Sequence, residues 1–222
     1  MFLTEFFLLG VPEISDDEFN SLLTLVSPNR AAKVQRLKAR DKQLQSLFAK
    51  LLLRAVLCDR LKVQNTELEF AVLGKGKPYL KSNTDVHFSM SHTDSLVAVA
   101  VSSGEVGIDV EAVRSADPKL CERFFTKSEQ EFVAAGTPDW LKRFYAVWTR
   151  KEAYLKYTGK GLSTPLSSFS TVENDDRYHT TVDEIQAVTV YCSDKPQAVP
   201  NDRTRLILER FIQAECGVQI KF

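Results

Sequence analysis

A chain of 222 residues is long enough for one large domain or two of about 100 residues each. Hydrophobic residues make up 44% and charged residues 26%, the balance of an ordinary globular protein rather than a disordered or membrane-spanning one. Lys plus Arg equals Asp plus Glu at 29 each, so no global field draws the chain to nucleic acid or an anionic membrane, and any anion site must come from a local cluster.

Residues 2–9 predict a first strand. Glu5 interrupts their apolar run and no basic residue precedes it, so the stretch reads neither as a signal peptide nor, at this length, as a membrane span. Ser15-Asp-Asp-Glu18 has capping-box spacing and opens a short helix to about Leu25. Ser27-Pro28 opens a second helical stretch, basic through Arg30, Lys33, Arg36, Lys38 and Arg40; a solvated helix face is the plain reading of those charges. Apolar residues at Leu44, Leu47, Phe48, Leu51, Leu52 and Ala55 then predict a core helix to about Asp59.

Residues 67–73 read as a strand, followed by the turn Gly74-Lys-Gly-Lys-Pro78, in which amides and ammonium groups lie close together, as they also do in ordinary surface turns. Residues 86–92 predict a strand ending in Ser91-His92, a position where a histidine is more often structural than functional. A hydrophobic strand at 95–101 leads to the turn Ser102-Ser-Gly104. Val106, Ile108 and Val110 then alternate with Gly107, Asp109 and Glu111, so the two acids share one strand face. Such a pair repels unless a cation lies between its members or water bathes an edge strand. Helices are expected around 118–125 and 128–135, and a longer one from Thr137 as N-cap to just before Gly159-Lys-Gly161. On that long helix Leu141, Phe144, Tyr145, Trp148 and Leu155 form an apolar stripe that includes Glu152, with Lys151 and Lys156 at its edges. A carboxylate pointing inward between two ammonium groups suggests a metal and phosphate site. Residues 168–192 alternate as strands with a turn near 174–176, and strand-like runs recur at 204–208 and 218–222. The four cysteines (Cys58, Cys121, Cys192, Cys216) have no ligand spacing and read as reduced thiols of a cytoplasmic protein.

The charged inventory points to metal-assisted transfer at phosphorus. Asp109, Glu111 and Glu152 offer oxygen ligands suited to Mg²⁺, and Arg30, Lys33, Lys77, Lys151 and Lys156 offer cations for phosphates. Gly107-Ile-Asp-Val-Glu111 followed by Trp148-Thr-Arg-Lys-Glu-Ala-Tyr-Leu-Lys156 resembles the paired signatures of the 4′-phosphopantetheinyl transferase superfamily. The three residues between Glu152 and Lys156 match its larger, Sfp-type branch. Gly76-Lys-Pro78, Phe88-Ser-Met-Ser-His92, Phe125-Thr-Lys-Ser-Glu129 and Gly159-Lys-Gly-Leu-Ser163 agree in the same order.

The resemblance implies two similar α+β halves related by a pseudo-twofold, here 1–103 and 104–222, with coenzyme A in the cleft between them and a monomer as the working unit. It implies transfer of the 4′-phosphopantetheine arm of coenzyme A to a serine of an apo acyl, peptidyl or aryl carrier protein, releasing adenosine 3′,5′-bisphosphate. Asp109, Glu111 and Glu152 match the acids on Mg²⁺, and Glu152 also the acceptor of the serine proton. Lys151 and Lys156 match diphosphate contacts, with Lys156 counted among the catalytic groups. Lys77, Ser91 and His92 match contacts to the adenosine phosphates, and Arg30 and Lys33 a basic pair at the 3′-phosphate. Leu44 and Gln45 depart from the pattern, standing where many relatives carry arginine. Two rival readings stand beside it: a Mg²⁺-dependent hydrolase of nucleotide pyrophosphates, which uses the same carboxylates with water as nucleophile, and a non-catalytic coenzyme A-binding module, which needs one acidic ligand lost where all three are present.

Overall fold

The computed structural model describes residues 3–74, 76–135, 138–173 and 176–222. Its first half is built on β1 (Glu5–Gly10), β4 (His87–Thr93) and β5 (Leu96–Ser102), with β2 (Phe70–Leu73) and β3 (Lys77–Leu80) as a separate antiparallel hairpin. Three helices precede the hairpin: α1 (Asp16–Leu23), α2 (Pro28–Gln35) and α3 (Arg40–Leu61). Ser15 caps α1 with the expected reciprocal box, and Ser27 caps α2 ahead of Pro28.

The strand period of two sorts the side chains of β1 and β5 onto two cores. Phe7, Leu9, Val97, Val99 and Val101 face α3, whose Leu47, Phe48, Leu51 and Leu52 are fully buried against them. Phe6, Ala98 and Ala100 face the other way, toward the second half. Removing each large side chain of these stripes from water contributes roughly 1.5–3 kcal/mol. Alanine at 98 and 100 keeps that face of β5 shallow, so a second sheet can lie close to it.

That sheet is β6 (Val106–Ala112), β8 (Gln186–Cys192) and β7 (Tyr178–Val182), antiparallel in the spatial order β6-β8-β7. Val106, Ile108, Val110, Val188, Val190 and Cys192 close the inter-sheet core. α6 (Trp140–Thr158) covers its far face, so a long helix on antiparallel strands occurs in both halves. α4 (Lys119–Phe124) and α5 (Lys127–Ala134) pack an aromatic cluster of Phe125, Phe144 and Trp148 beside α6. Thr126 caps α5, while Thr137, expected to cap α6, lies outside the described residues. α6 stops at Gly159, which takes the left-handed conformation (φ +65°) open to glycine.

Four expectations are corrected. The strand expected over 67–73 begins only at Phe70, because Glu67 closes a short 3₁₀ turn, Asn65–Glu67. Residues 168–173, read as strand, follow a 3₁₀ turn ending at Ser168, and the strand starts only at Tyr178; of the turn expected near 174–176, residues 174 and 175 lie outside the described residues. Residues 204–208 are not a strand but part of α7 (Asn201–Cys216), because Thr204, Leu208, Phe211 and Ile212 recur at helical spacing and are buried. Residues 218–222 form no strand; Ile220 is buried and the Phe222 ring stands edge-on to Phe48 at 6.3 Å. This last segment crosses back to the first half: β9 (Gln197–Ala198) pairs parallel with β1, and α7 packs on α3 and β1.

Candidate active site

β6 carries the acids for a simple reason of alternation. Its valines and isoleucine fill the inter-sheet core, so Gly107, Asp109 and Glu111 turn to the opposite face, toward α6. Gly107 has no side chain to hold α6 away. As a result Asp109 lies beside the α6 residues Glu152 and Lys156.

Asp109 is 4% exposed. Its Oδ1 accepts from the Lys156 ammonium at 2.7 Å and from the Ser91 hydroxyl at 2.9 Å, while Oδ2 is buried without a hydrogen-bond partner among the described residues. An unpartnered carboxylate oxygen in a low-dielectric place is costly unless a cation meets it. Glu152 is half-buried, and desolvation followed by the charge of Asp109 pushes its carboxyl above the ordinary range, against the pull of Lys156. Glu111 is likewise pushed up, by desolvation first and then by Asp109, with the Trp148 indole pulling weakly the other way. These three mutually repelling carboxylates, all oxygen donors, suit a hard divalent ion. Among the described residues no three His, Cys, Asp or Glu side chains already converge on one point, so closing on an ion takes rotamer changes of the two half-buried glutamates.

A cleft of about 380 Å³ opens beside them. Glu152 and Lys156 line it from α6, and Arg30, Lys50, Lys77 and His92 from the first half. Partial desolvation, then the charges of Lys156, Lys42, Arg30 and Lys50, hold the His92 imidazole below its usual range and therefore neutral at pH 7. Lys77 is not loose in the cleft: it pairs with Glu105 and donates to the Tyr157 carbonyl at 2.7 Å, tying the β2–β3 hairpin to the end of α6. Ser91 lies beneath the cleft on Asp109, and Lys33 stands outside it, on an adjoining pocket of about 210 Å³ shared with Arg30 and Lys50.

Lys151 departs from expectation. The buried stripe of α6 runs through Phe144, Val147, Lys151 and Leu155, so Lys151 points inward and Glu152 lies at the stripe's edge, the reverse of the sequence reading. The Lys151 ammonium is fully buried, 2.7 Å from Glu129, and donates to the carbonyls of Leu166 (2.7 Å) and Phe169 (2.6 Å). With its three donors engaged it has none left for a phosphate. Glu129 in turn accepts from the backbone amides of Thr126 and Thr171 and from both their hydroxyls. The motif's first lysine is thus a structural bolt between α5, α6 and the 166–171 segment.

Lys50 was missed. It belongs to no motif, yet Lys50 and Arg54 are the only charged residues between Leu44 and Leu57, one helical turn apart in an apolar run. That interruption was the available signal. Gln45, by contrast, is buried and spent on the Asp94 carbonyl at 2.6 Å, so it supplies nothing to the cleft.

Glu152 and Lys156 of one half face Arg30, Lys50 and His92 of the other across this cleft, an arrangement suited to a polyanion. Residues 105–200 match the 4′-phosphopantetheinyl transferase superfamily, and residues 13–104 match its N-terminal region, described as 4′-phosphopantetheinyl transferase, N-terminal. Among curated proteins, 4′-phosphopantetheinyl transferase Sfp of Bacillus subtilis (strain 168) is 30% identical over 158 residues, covering 71% of this chain and 70% of the relative. The gsp transferase of Aneurinibacillus migulanus is 34% identical over 170 residues, covering 75% and 70%. HetI of Nostoc sp. is 30% identical over 156 residues, covering 67% and 65%. The chain belongs to the 4′-phosphopantetheinyl transferase superfamily, in its Sfp-type branch.

Proposed function

We propose that this transferase binds coenzyme A in the cleft between its halves and holds Mg²⁺ with Asp109, Glu111 and Glu152 while it modifies an apo carrier protein. The reaction moves the 4′-phosphopantetheine arm from coenzyme A to a carrier serine. The observation that carries the metal assignment is the buried, unpartnered Oδ2 of Asp109, flanked by two carboxyls whose pKa values are raised by desolvation and mutual repulsion. When bound, Mg²⁺ supplies charge neutralisation at the pyrophosphate and a better leaving group.

The chain's own residues do the rest. Glu152 lines the cleft, and its raised pKa makes it a competent acceptor for the serine proton. The serine oxygen forms a bond to the phosphorus that bears pantetheine, the anhydride P–O bond breaks, and adenosine 3′,5′-bisphosphate leaves. Lys156 reaches the cleft from Asp109 and offers its remaining donors to the pyrophosphate oxygens. Arg30, with Lys33 on the adjoining pocket, faces the 3′-phosphate, and neutral His92 is a donor to the same end. Lys77 reads as a wall residue whose backbone and stem shape the cleft, because its ammonium is held by Glu105. A monomer in the cytoplasm suffices, since both halves of the site come from one chain.

The test is intact mass spectrometry of a panel of apo carrier proteins incubated with coenzyme A and Mg²⁺. A carrier that gains one phosphopantetheine, with EDTA abolishing the gain, supports the reading. Coenzyme A cleaved without any carrier would favour a hydrolase, and binding with neither outcome would favour a non-catalytic module.

A further inference from the structure

Coenzyme A carries two separate anionic groups, the pyrophosphate that reacts and the phosphomonoester on the ribose 3′ position. The acids and Lys156 account for the first. The first half holds a second cationic cluster, built from Arg30 on α2 and Lys50 and Arg54 on α3, with His92 on β4 across from it. Arg54 is satisfied by the Asn65 side chain and by its carbonyl at 2.8 Å. The other two cations have no carboxylate within ion-pair distance among the described residues. Arg30 donates to the Ser46 hydroxyl at 3.3 Å, and its Nε is buried without a partner. The polar contact of the Lys50 ammonium is the thioether sulfur of Met90 at 3.2 Å, a weak acceptor.

A half-enclosed ammonium beside an under-satisfied guanidinium, both lining the cleft and the adjoining pocket, is a site short of a counter-anion. We infer that Lys50 is a specificity-determining residue that recognises the 3′-phosphate of coenzyme A, an inference that rests on the coenzyme A reading above. Burial, then the charges of Arg30 and Arg54, push the Lys50 ammonium down to about 8 in the free protein, as expected of a cation awaiting its partner. A dianionic phosphomonoester placed among Lys50, Arg30 and His92 would reverse that balance, since a charge-assisted hydrogen bond to each oxygen replaces cation–cation repulsion. Gln45 of the same helix turns away to the Asp94 carbonyl and adds no donor to this cluster, which leaves Lys50 and Arg30 to meet an anion there.

The experiment is calorimetric titration of coenzyme A and of 3′-dephospho-coenzyme A into the wild-type protein, Lys50→Met and Lys50→Arg, with Mg²⁺ present, alongside transfer assays on a carrier. Lys50→Met should weaken coenzyme A binding about 10-fold or more and leave dephospho-coenzyme A within about 2-fold, with the loss of transfer falling on KM for coenzyme A more than on kcat; Lys50→Arg should restore most of the preference. Because methionine removes a desolvated charge and keeps the length of the stem, Lys50→Met should melt no lower than wild type. Equal weakening of both ligands, or none, would overturn the assignment. Wild-type protein that binds coenzyme A tightly and transfers nothing would overturn the transferase reading alone, and the ratio of the two affinities would still decide Lys50. Failure to bind either ligand would overturn both.

Discussion

Gly107 of β6 lies so close to Ala153 of α6 that a Cβ at position 107 would stand 1.9 Å from the Ala153 carbonyl oxygen. The same atom would be 2.6 Å from the amide nitrogen of Tyr157, and both obstacles are backbone, which cannot swing aside. The glycine of the Gly-Ile-Asp-Val-Glu signature is therefore a spacing device. It brings the strand bearing Asp109 against the helix bearing Glu152 and Lys156.

Gly107→Ala should consequently act on both fold and chemistry. Overpacking against rigid backbone costs about 3 kcal/mol or more, and relief requires α6 to shift away from β6. The protein that remains folded should lose transfer activity by at least ~100-fold, as the acids separate. Urea unfolding and a kcat measurement at saturating coenzyme A check this. A stable, fully active Gly107→Ala would refute the close approach.

The Glu129–Lys151 pair makes a prediction opposite to the one its motif suggests. Both side chains are fully buried and hydrogen-bonded, so removing either alone strands a charge and should cost roughly 3–5 kcal/mol. Replacing both, as Glu129→Gln with Lys151→Met, should recover a good part of that loss. The KM for coenzyme A of whichever variants fold should stay within about 2-fold of wild type. A large KM increase without loss of stability in Lys151→Met would instead return this lysine to the substrate.

The acids give a pH-dependent prediction with a definite sign. The Glu152 and Glu111 carboxyls are raised above the ordinary 4.5, so the folded chain holds those protons more tightly than the unfolded one. Their destabilising effect is absent below pH 4.5, grows as pH rises toward the raised values and is complete above them. With chelator present, Glu152→Gln should then melt higher than wild type at pH 7 by ~2–4 °C, the equivalent of about 1 kcal/mol for partly exposed groups, and the difference should close as pH falls toward the unfolded pKa. Mg²⁺ should raise the wild-type melting temperature and do less for the variant. Transfer by the variant should be abolished. A variant that melts lower at pH 7, or a wild type indifferent to Mg²⁺, would count against a cation shared by these acids.

The amino-acid sequence spoke clearly where one face of an element is apolar and the other is not. The alternation of β6 located Asp109 and Glu111, and capping residues placed α1 and α2. It misled at Lys151, because helical periodicity gives relative positions around α6 but not which arc faces the core, and a lysine is a poor guess for a core position. Its partners, Glu129 and the carbonyls of Leu166 and Phe169, come from separate segments that no local pattern connects. The same lack of long-range information hid Lys50, whose role depends on α2 and β4 lying across from α3. At 204–208, β-branched and aliphatic residues suggested a strand, while the longer spacing from Thr204 to Ile212 was the stronger signal.

The return of β9 and α7 to the first sheet carries a consequence for biosynthesis. On a ribosome, β1 emerges long before its parallel neighbour Gln197–Ala198 and the helix Asn201–Cys216 that covers it. The first half therefore remains unfinished until those residues have been made. It completes its hydrophobic packing only by a late, long-range docking event, and nascent chains stalled before residue 197 should be protease-sensitive there, whatever the state of the strands in between.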